Sequence, residues 1–193
     1  FQKSLFCRVT NPSKMMDIKR LFDFPYHQLE THNLEAALVS KKNGEWVKTS
    51  TAEYLDKANA ISRALLKLGV KKNDKIAVIS STNRTEWCIV DIGILQIGAQ
   101  NIPIYPTISS EDYEYVLNHS QATYCFVSDQ DVLDKILKVK ANTELKDVYS
   151  FDQLKDCKNY SVLLEIGQDT STQNELEARK KEVKETDLAT IIY

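Results

Sequence analysis

Apolar and polar residues alternate in two short runs between Glu35 and Thr49, EAALVSKKNGEWVKT, and the runs flank Asn43-Gly44. That dipeptide accepts the positive φ angles of a tight turn, so the pattern predicts a β-hairpin. The period then changes. Tyr54, Leu55, Ala58, Ile61, Leu65 and Leu68 recur at the spacing of one helix face, with Ser50 or Thr51 placed to cap the start and Gly69 to end it. Ile76-Ala77-Val78-Ile79-Ser80 follows as a continuous apolar run of strand length, the pattern of a strand covered on both faces.

Asn83 offers an N-cap for a helix over 84–97 that is apolar nearly all round and stops at Gly98, which predicts an interior helix. AQNIPIYPT is extended, and Pro103 and Pro106 suit an edge strand or a strand end. Ser109 and Asp112 stand three apart, a variant of the capping box, ahead of the short helix YEYVLNHS. ATYCFVS reads as a strand, DQDVLDKILKVK as a helix and KDVYSF as a strand. From Ile76 onward the chain therefore alternates β and α. This predicts an α/β fold of three layers, a mainly parallel sheet with right-handed crossovers and helices on both faces, preceded by the hairpin.

Residues 152–185 carry less pattern, although STQNELEARKKEVKE has the composition of a polar, solvated helix. The last residues, TDLATIIY, turn β-branched and apolar and read as a further strand. We divide the chain into an N-terminal extension and lead-in over 1–34 and an α/β domain over 35–193. Met15 or Met16 is a natural starting residue, with the residues before it an extension.

Composition narrows the functions. The 193 residues are 42% hydrophobic and 27% charged, ordinary for a soluble globular protein. A formal charge of −2 from 25 basic and 27 acidic residues leaves no electrostatic footprint for nucleic acid. The most apolar stretch, 87–97, contains Asp91 and Gln96 and falls short of the ~20 apolar residues a membrane span needs. No basic amphipathic helix is evident, and a cytoplasmic protein with or without peripheral membrane contact stays open at this level. Cys7, Cys88, Cys125 and Cys157 lie far apart, and His27, His32 and His119 do not join them at metal-ligand spacing, so a zinc site is not expected. Cys88 and Cys125 sit in apolar runs and read as small buried hydrophobes in a reducing, cytoplasmic setting.

A free-standing dinucleotide site would show glycines in the turn after the first strand of its βαβ unit, where backbone must approach phosphate. The turn after IAVIS is STNRTEW, and the five glycines of the chain are dispersed. Ser80, Ser81, Ser109 and Ser110 lie in no nucleophile elbow and read as caps and turns. Arg84, at a helix start, reads as exposed or packed along its stem rather than as an anion ligand. Tyr105 and Thr107 follow a strand in a proline-containing loop, a place where ligands meet α/β sheets.

In order along the chain, Leu68-Gly69-Val70, Asn73-Asp74, the N-x-x-E-W stretch Asn83 to Trp87, the stretch Gly98 to Thr107 ending PIYPT, and CFVSD from Cys125 to Asp129 resemble the N-terminal part of the AMP-forming acyl-CoA synthetases. PIYPT favours the long-chain fatty-acid CoA ligases among them. The resemblance covers about 36–129 and resumes at ETDLATIIY. Asn73 stands where that family usually has glycine, and asparagine tolerates the left-handed geometry such a turn needs.

The resemblance implies the first subdomain of an adenylate-forming N-terminal domain. It also implies a reaction in which a fatty-acid carboxylate attacks the α-phosphate of Mg-ATP to give acyl-AMP and pyrophosphate, after which the CoA thiol displaces AMP. By position it places Tyr105 and Thr107 near CoA. In that family DLATIIY leads into a Thr/Ser/Gly-rich loop ending in lysine that holds the ATP phosphates, so Tyr193 would stand beside that loop. The magnesium and ribose carboxylates and a lysine on a C-terminal domain follow later still. No catalytic residue and no metal ligand is therefore expected in 1–193, and the piece alone is expected to be inactive. Two other readings stand beside this one: another adenylate-forming ligase, for an acyl-carrier protein or an aryl acid, and a stand-alone α/β binding module.

Overall fold

The computed structural model describes residues 17–42 and 44–193. The expectations attached to Cys7, Met15, Met16 and Asn43 lie outside the described residues. Helix α1 (Asp23–Thr31) comes first, then the hairpin strands β1 (Leu38–Lys42) and β2 (Glu45–Thr49), paired antiparallel, with Gly44 at φ 87°. Helix α2 (Thr51–Lys67) begins at Ser50. The Ser50 N–H donates to Glu53 Oε2 at 2.9 Å while the Glu53 N–H donates to Ser50 Oγ at 3.2 Å, a complete capping box worth about 1 kcal/mol. Gly69 ends the helix at φ 81°, and Asn73 adopts φ 68°, the left-handed geometry expected of it.

The alternating part builds β3 (Lys75–Ile79), α3 (Thr85–Gln96), β4 (Gln100–Ile104), α4 (Ser110–Ser120), β5 (Ala122–Val127), α5 (Gln130–Val139) and β6 (Asp147–Ser150). A two-residue strand β7 (Lys158–Asn159), a short helix α6 (Ser161–Ile166) and helix α7 (Gln173–Glu182) follow. The main sheet runs β4-β3-β5-β6-β7, every neighbour parallel. Parity along β3 sorts the two faces. Ile76 and Val78 pack with α2, α3, α6 and α7, whereas Ala77 and Ile79 pack with α4 and α5. The step from β3 to β4 uses the first face and the return from β4 to β5 uses the second, so both crossovers have the same hand, as the handedness of βαβ units requires. Ile61, Leu65, Ile76 and Ile89 are fully buried in the first of these layers, each contributing roughly 1.5–3 kcal/mol.

Several elements differ from the sequence pattern. Asn83 is exposed and does not cap α3; Arg84 holds that position in extended geometry, with no side-chain cap bond, because a guanidinium has no acceptor to offer the helix-start amides. Helix α7 is not wholly solvated, since Leu176 is fully buried in the α2–α3 layer. Cys125 is buried as expected, but Cys88 is only half-buried, because at its turn of α3 a cleft opens toward the hairpin. Helices α1 and α6 and strand β7 carried no readable pattern.

The terminal run forms a single bridge rather than a strand. The Asn101 N–H donates to Ala189 O at 3.1 Å, and the Ile191 N–H donates to Asn101 O at 3.2 Å, so the segment lies parallel to the outer edge of β4. The next donor on that edge would be residue 103, and Pro103 has no N–H to give. The ladder ends there for want of a donor.

Candidate functional site

The carboxyl ends of β3 and β5 are adjacent, and the helices that follow them, α3 and α5, lie on opposite faces. This is the switch point of the sheet, where open α/β sheets hold ligands in the crevice beyond the strand ends. The loop Ser80 to Arg84 forms one wall, and Ser128 with Asp129 forms the other. The Ser81 N–H donates to Ser128 Oγ at 3.0 Å, and that hydroxyl donates to Asp129 Oδ2 at 2.5 Å. Asp129 Oδ1 accepts from the Val132 N–H at 3.1 Å and so caps α5. Burial pushes the Asp129 carboxyl up, and the Ser128 and Ser81 hydroxyls with the amides of the helix start outweigh it, leaving the group below the usual carboxylate range.

Arg84 crosses the crevice. Its guanidinium donates to Asp152 Oδ1 at 2.7 Å and to Ser128 O at 3.3 Å, stands 3.5 Å from Glu86 Oε2, and lies 5.6 Å from the centre of the Phe151 ring. Two carboxylates and an aromatic face already hold its guanidinium, and its side chain is only 17% exposed, so Arg84 is neither exposed nor held by its stem alone, the arrangements expected of it. Glu86, 3% exposed, also accepts from Lys42 Nζ of the hairpin at 2.5 Å. Between hairpin and crevice a cleft of ≈ 410 Å³ is lined by Leu38, Ser80, Asn83, Arg84, Trp87 and Cys88 among others.

The residues singled out in the sequence are held by different neighbours. Tyr105 and Thr107 are exposed in the loop after β4. That loop is held from beneath: Tyr113 Oη donates to Tyr105 O at 3.0 Å, and Lys135 Nζ donates to Pro106 O at 3.2 Å and Ile108 O at 3.1 Å. Tyr193 continues from the bridge at Thr190, its hydroxyl 2.7 Å from His119 Nδ1, with the His119 ring stacked on Tyr115. Ser80 donates to Thr82 O at 2.7 Å, and Ser109 caps α4, so these serines serve turns and caps. Ser128, Asp129, Glu86 and Asp152 were not singled out as site residues, although Ser128 and Asp129 fall in the CFVSD stretch. Position after a strand is the signal that would have found them.

Among the described residues the crevice has no histidine beside a hydroxyl, and its carboxylates are engaged in caps and ion pairs. It offers shape, backbone groups and hydroxyls, the means of binding and positioning rather than of proton transfer. Among the described residues no three His, Cys, Asp or Glu side chains gather to hold a metal. Among them, too, no helix is long and apolar enough to cross a membrane.

A parallel sheet with its switch point, covered on both faces and led by a hairpin, defines the class, and the AMP-binding enzyme family matches over residues 26–193. The chain belongs to that family. It is 31% identical over 152 residues to the long-chain-fatty-acid CoA ligase FadD15 of Mycobacterium bovis, covering 78% of this chain and 25% of that protein. It is 28% identical over 188 residues to the long-chain-fatty-acid CoA ligase ACSBG2 of Xenopus laevis, covering 92% of this chain and 25% of that one. In fold it matches the crystal structure of a long-chain-fatty-acid CoA ligase, FadD1, from Archaeoglobus fulgidus, with a TM-score of 0.69 at 18% identity over 91% of this chain and 34% of that one. The chain spans about a quarter of the length of the curated relatives it matches.

Proposed function

We propose that this chain is part of an AMP-forming acid–thiol ligase that activates a long-chain fatty acid with ATP and passes the acyl group to CoA. The observation that carries the reading is the 31% identity to FadD15 over 78% of the chain. This part of the protein supplies the β3–β5 crevice and the loops beyond it as a rigid floor. Tyr105 and Thr107 lie toward CoA and Tyr193 toward the ATP phosphates, a placement supported by their position beyond β4 and beside it. Glycine-rich backbone with a lysine, the usual phosphate cradle, and a carboxylate set for magnesium are supplied by other parts of the protein. The setting is cytoplasmic, in keeping with the free thiols of Cys88, Cys125 and Cys157.

The test is acid-dependent exchange of pyrophosphate into ATP by the product of the whole reading frame that contains this chain, run with fatty acids of graded length and with aryl acids. Exchange with long-chain acids, followed by acyl-CoA formation, is the expected result. Exchange with aryl acids alone would assign the chain to another ligase of the family. Residues 1–193 alone are expected to show none.

A further inference from the structure

The register of the hairpin separates two faces of opposite character. Leu38 pairs with Thr49, Ser40 with Val47 and Lys42 with Glu45; Val39 pairs with Lys48 and Lys41 with Trp46. Paired residues share a face and successive residues alternate. The first set faces the domain, although Val47 is 41% exposed: Thr49 is buried, Ser40 Oγ accepts from Thr85 Oγ1 at 3.2 Å, and Lys42 pairs with Glu86. The second set, Val39, Lys41, Trp46 and Lys48, is exposed throughout, with Trp46 at 70% and Val39 at 48%. The only acidic residue of the two strands, Glu45, belongs to the inner set. The outer face thus carries an indole, a valine and two ammonium groups with no carboxylate of the hairpin among them, and Lys41 Nζ lies 5.9 Å from the Trp46 ring centre.

We propose that this outer face of the hairpin is a contact for an anionic phospholipid surface. An indole flanked by lysines suits the headgroup boundary, where the ring finds an apolar body with a wet edge and the ammonium groups find lipid phosphates and carboxylates. The apolar part and the basic part act together, because neither two lysines nor one tryptophan holds a protein to a bilayer alone. The chemistry favours lipid over other anionic partners. The cations are lysines, which act as point charges rather than bidentate forks. The lysines are held on one rigid face because the opposite face is fixed to α3 by Lys42–Glu86. This contact does not depend on the ligase reading.

The test is co-sedimentation of the chain with vesicles of phosphatidylcholine mixed with phosphatidylserine, and with vesicles of phosphatidylcholine alone. Binding to the mixed vesicles, absent from the neutral ones and weakened by salt, is expected. Lys41→Glu and Lys48→Glu should each weaken it by about fivefold or more, and Trp46→Ser by roughly tenfold, with circular dichroism unchanged. In a Trp87→Phe background, Trp46 emission should shift to the blue on binding and be quenched by brominated lipid; if that background fails to fold, sedimentation of the otherwise unaltered chain carries the test. No binding to the mixed vesicles, equal binding to neutral ones, or full binding by Trp46→Ser would overturn the proposal. Analytical ultracentrifugation showing a dimer that Trp46→Ser abolishes would overturn it in favour of a second copy of this chain.

Discussion

Asn101 Nδ2 donates to Asp91 Oδ1 at 2.7 Å, joining β4 to α3, while the backbone of the same Asn101 holds Ala189 and Ile191. Thr190 Oγ1 adds a bond to Asn101 O at 2.8 Å. One residue thus ties a helix, an edge strand and the last residues of the chain together. The bond has an electrostatic consequence, because burial pushes the Asp91 carboxyl above its usual range and the Asn101 amide only partly offsets this.

A carboxyl raised in the folded state binds its proton more tightly there than in the unfolded chain. Its contribution to stability is full below pH 3.8 and is lost as pH rises through the folded value. Asp91→Asn keeps an acceptor for Asn101 and removes that loss, so the variant should be more stable than the parent at pH 7 by urea unfolding, with the gain vanishing toward pH 4. Asn101→Ala leaves the carboxylate buried without its donor and should cost about 1–3 kcal/mol. A Asp91→Asn variant less stable at pH 7 would contradict this account.

Glu86 behaves in the opposite sense. Burial pushes its carboxyl up, and Lys42, the helix-start amide and Arg84 outweigh burial, so it lies below the usual 4.5. Its stabilisation is present above that pH and is lost as pH falls through the folded value. Lys42→Met leaves Glu86 with Arg84 alone and should cost about 1–3 kcal/mol, less than a fully buried pair because Lys42 is half-exposed. The loss should shrink on acidification, which thermal melts across pH 3 to 7, a range set around the ordinary carboxylate value of roughly 4, would show.

Gly93 on α3 meets α2 at close range: a Cβ there would stand 2.6 Å from Ile61 Cγ2 and 3.1 Å from Ala58 O. Ser62 Oγ also donates to Gly93 O at 2.8 Å. Gly93→Ala should therefore destabilise by about 1–3 kcal/mol through overpacking, despite alanine's better helix propensity. A chemical melt showing a gain would mean that the two helices can part without cost.

Pro103 ends the bridge to the terminal segment for want of an N–H. Pro103→Ala supplies one opposite Ile191 O, and hydrogen exchange should find the new amide at 103 protected. Overall stability should change by less than about 1 kcal/mol, since the added hydrogen bond is offset by the freer unfolded chain. An amide at 103 exchanging at the rate of an open loop would show that the terminal segment does not follow β4.

The elements whose causes are local were legible. A cap at Ser50 and the Ser109–Asp112 box act within three residues, Gly69 and Asn73 took the left-handed geometry that glycine and asparagine tolerate, and the apolar run of β3 announced a strand covered twice. Pro103 and Pro106 pointed to an edge, and β4 is the edge of the five-stranded sheet. Of the candidate site, the loops were legible and the partnerships were not. Arg84 was read as exposed or packed along its stem, and Asp152 and Ser128, which hold its guanidinium, could not be named.

The sequence by itself determined the hairpin, the order and kind of the elements from α2 to β6, and the family, because periodicity, caps and turn chemistry act within a few residues along the chain. Tertiary structure alone decided that Lys42 meets Glu86, that Arg84 meets Asp152, and that Asn101 receives the segment around Thr190. Those partners lie 44, 68 and 89 residues apart. Packing between elements brings them together, since Lys42 belongs to the separate two-stranded sheet and Thr190 to an isolated bridge, and that packing follows from how whole faces are buried, which no local window of residues encodes.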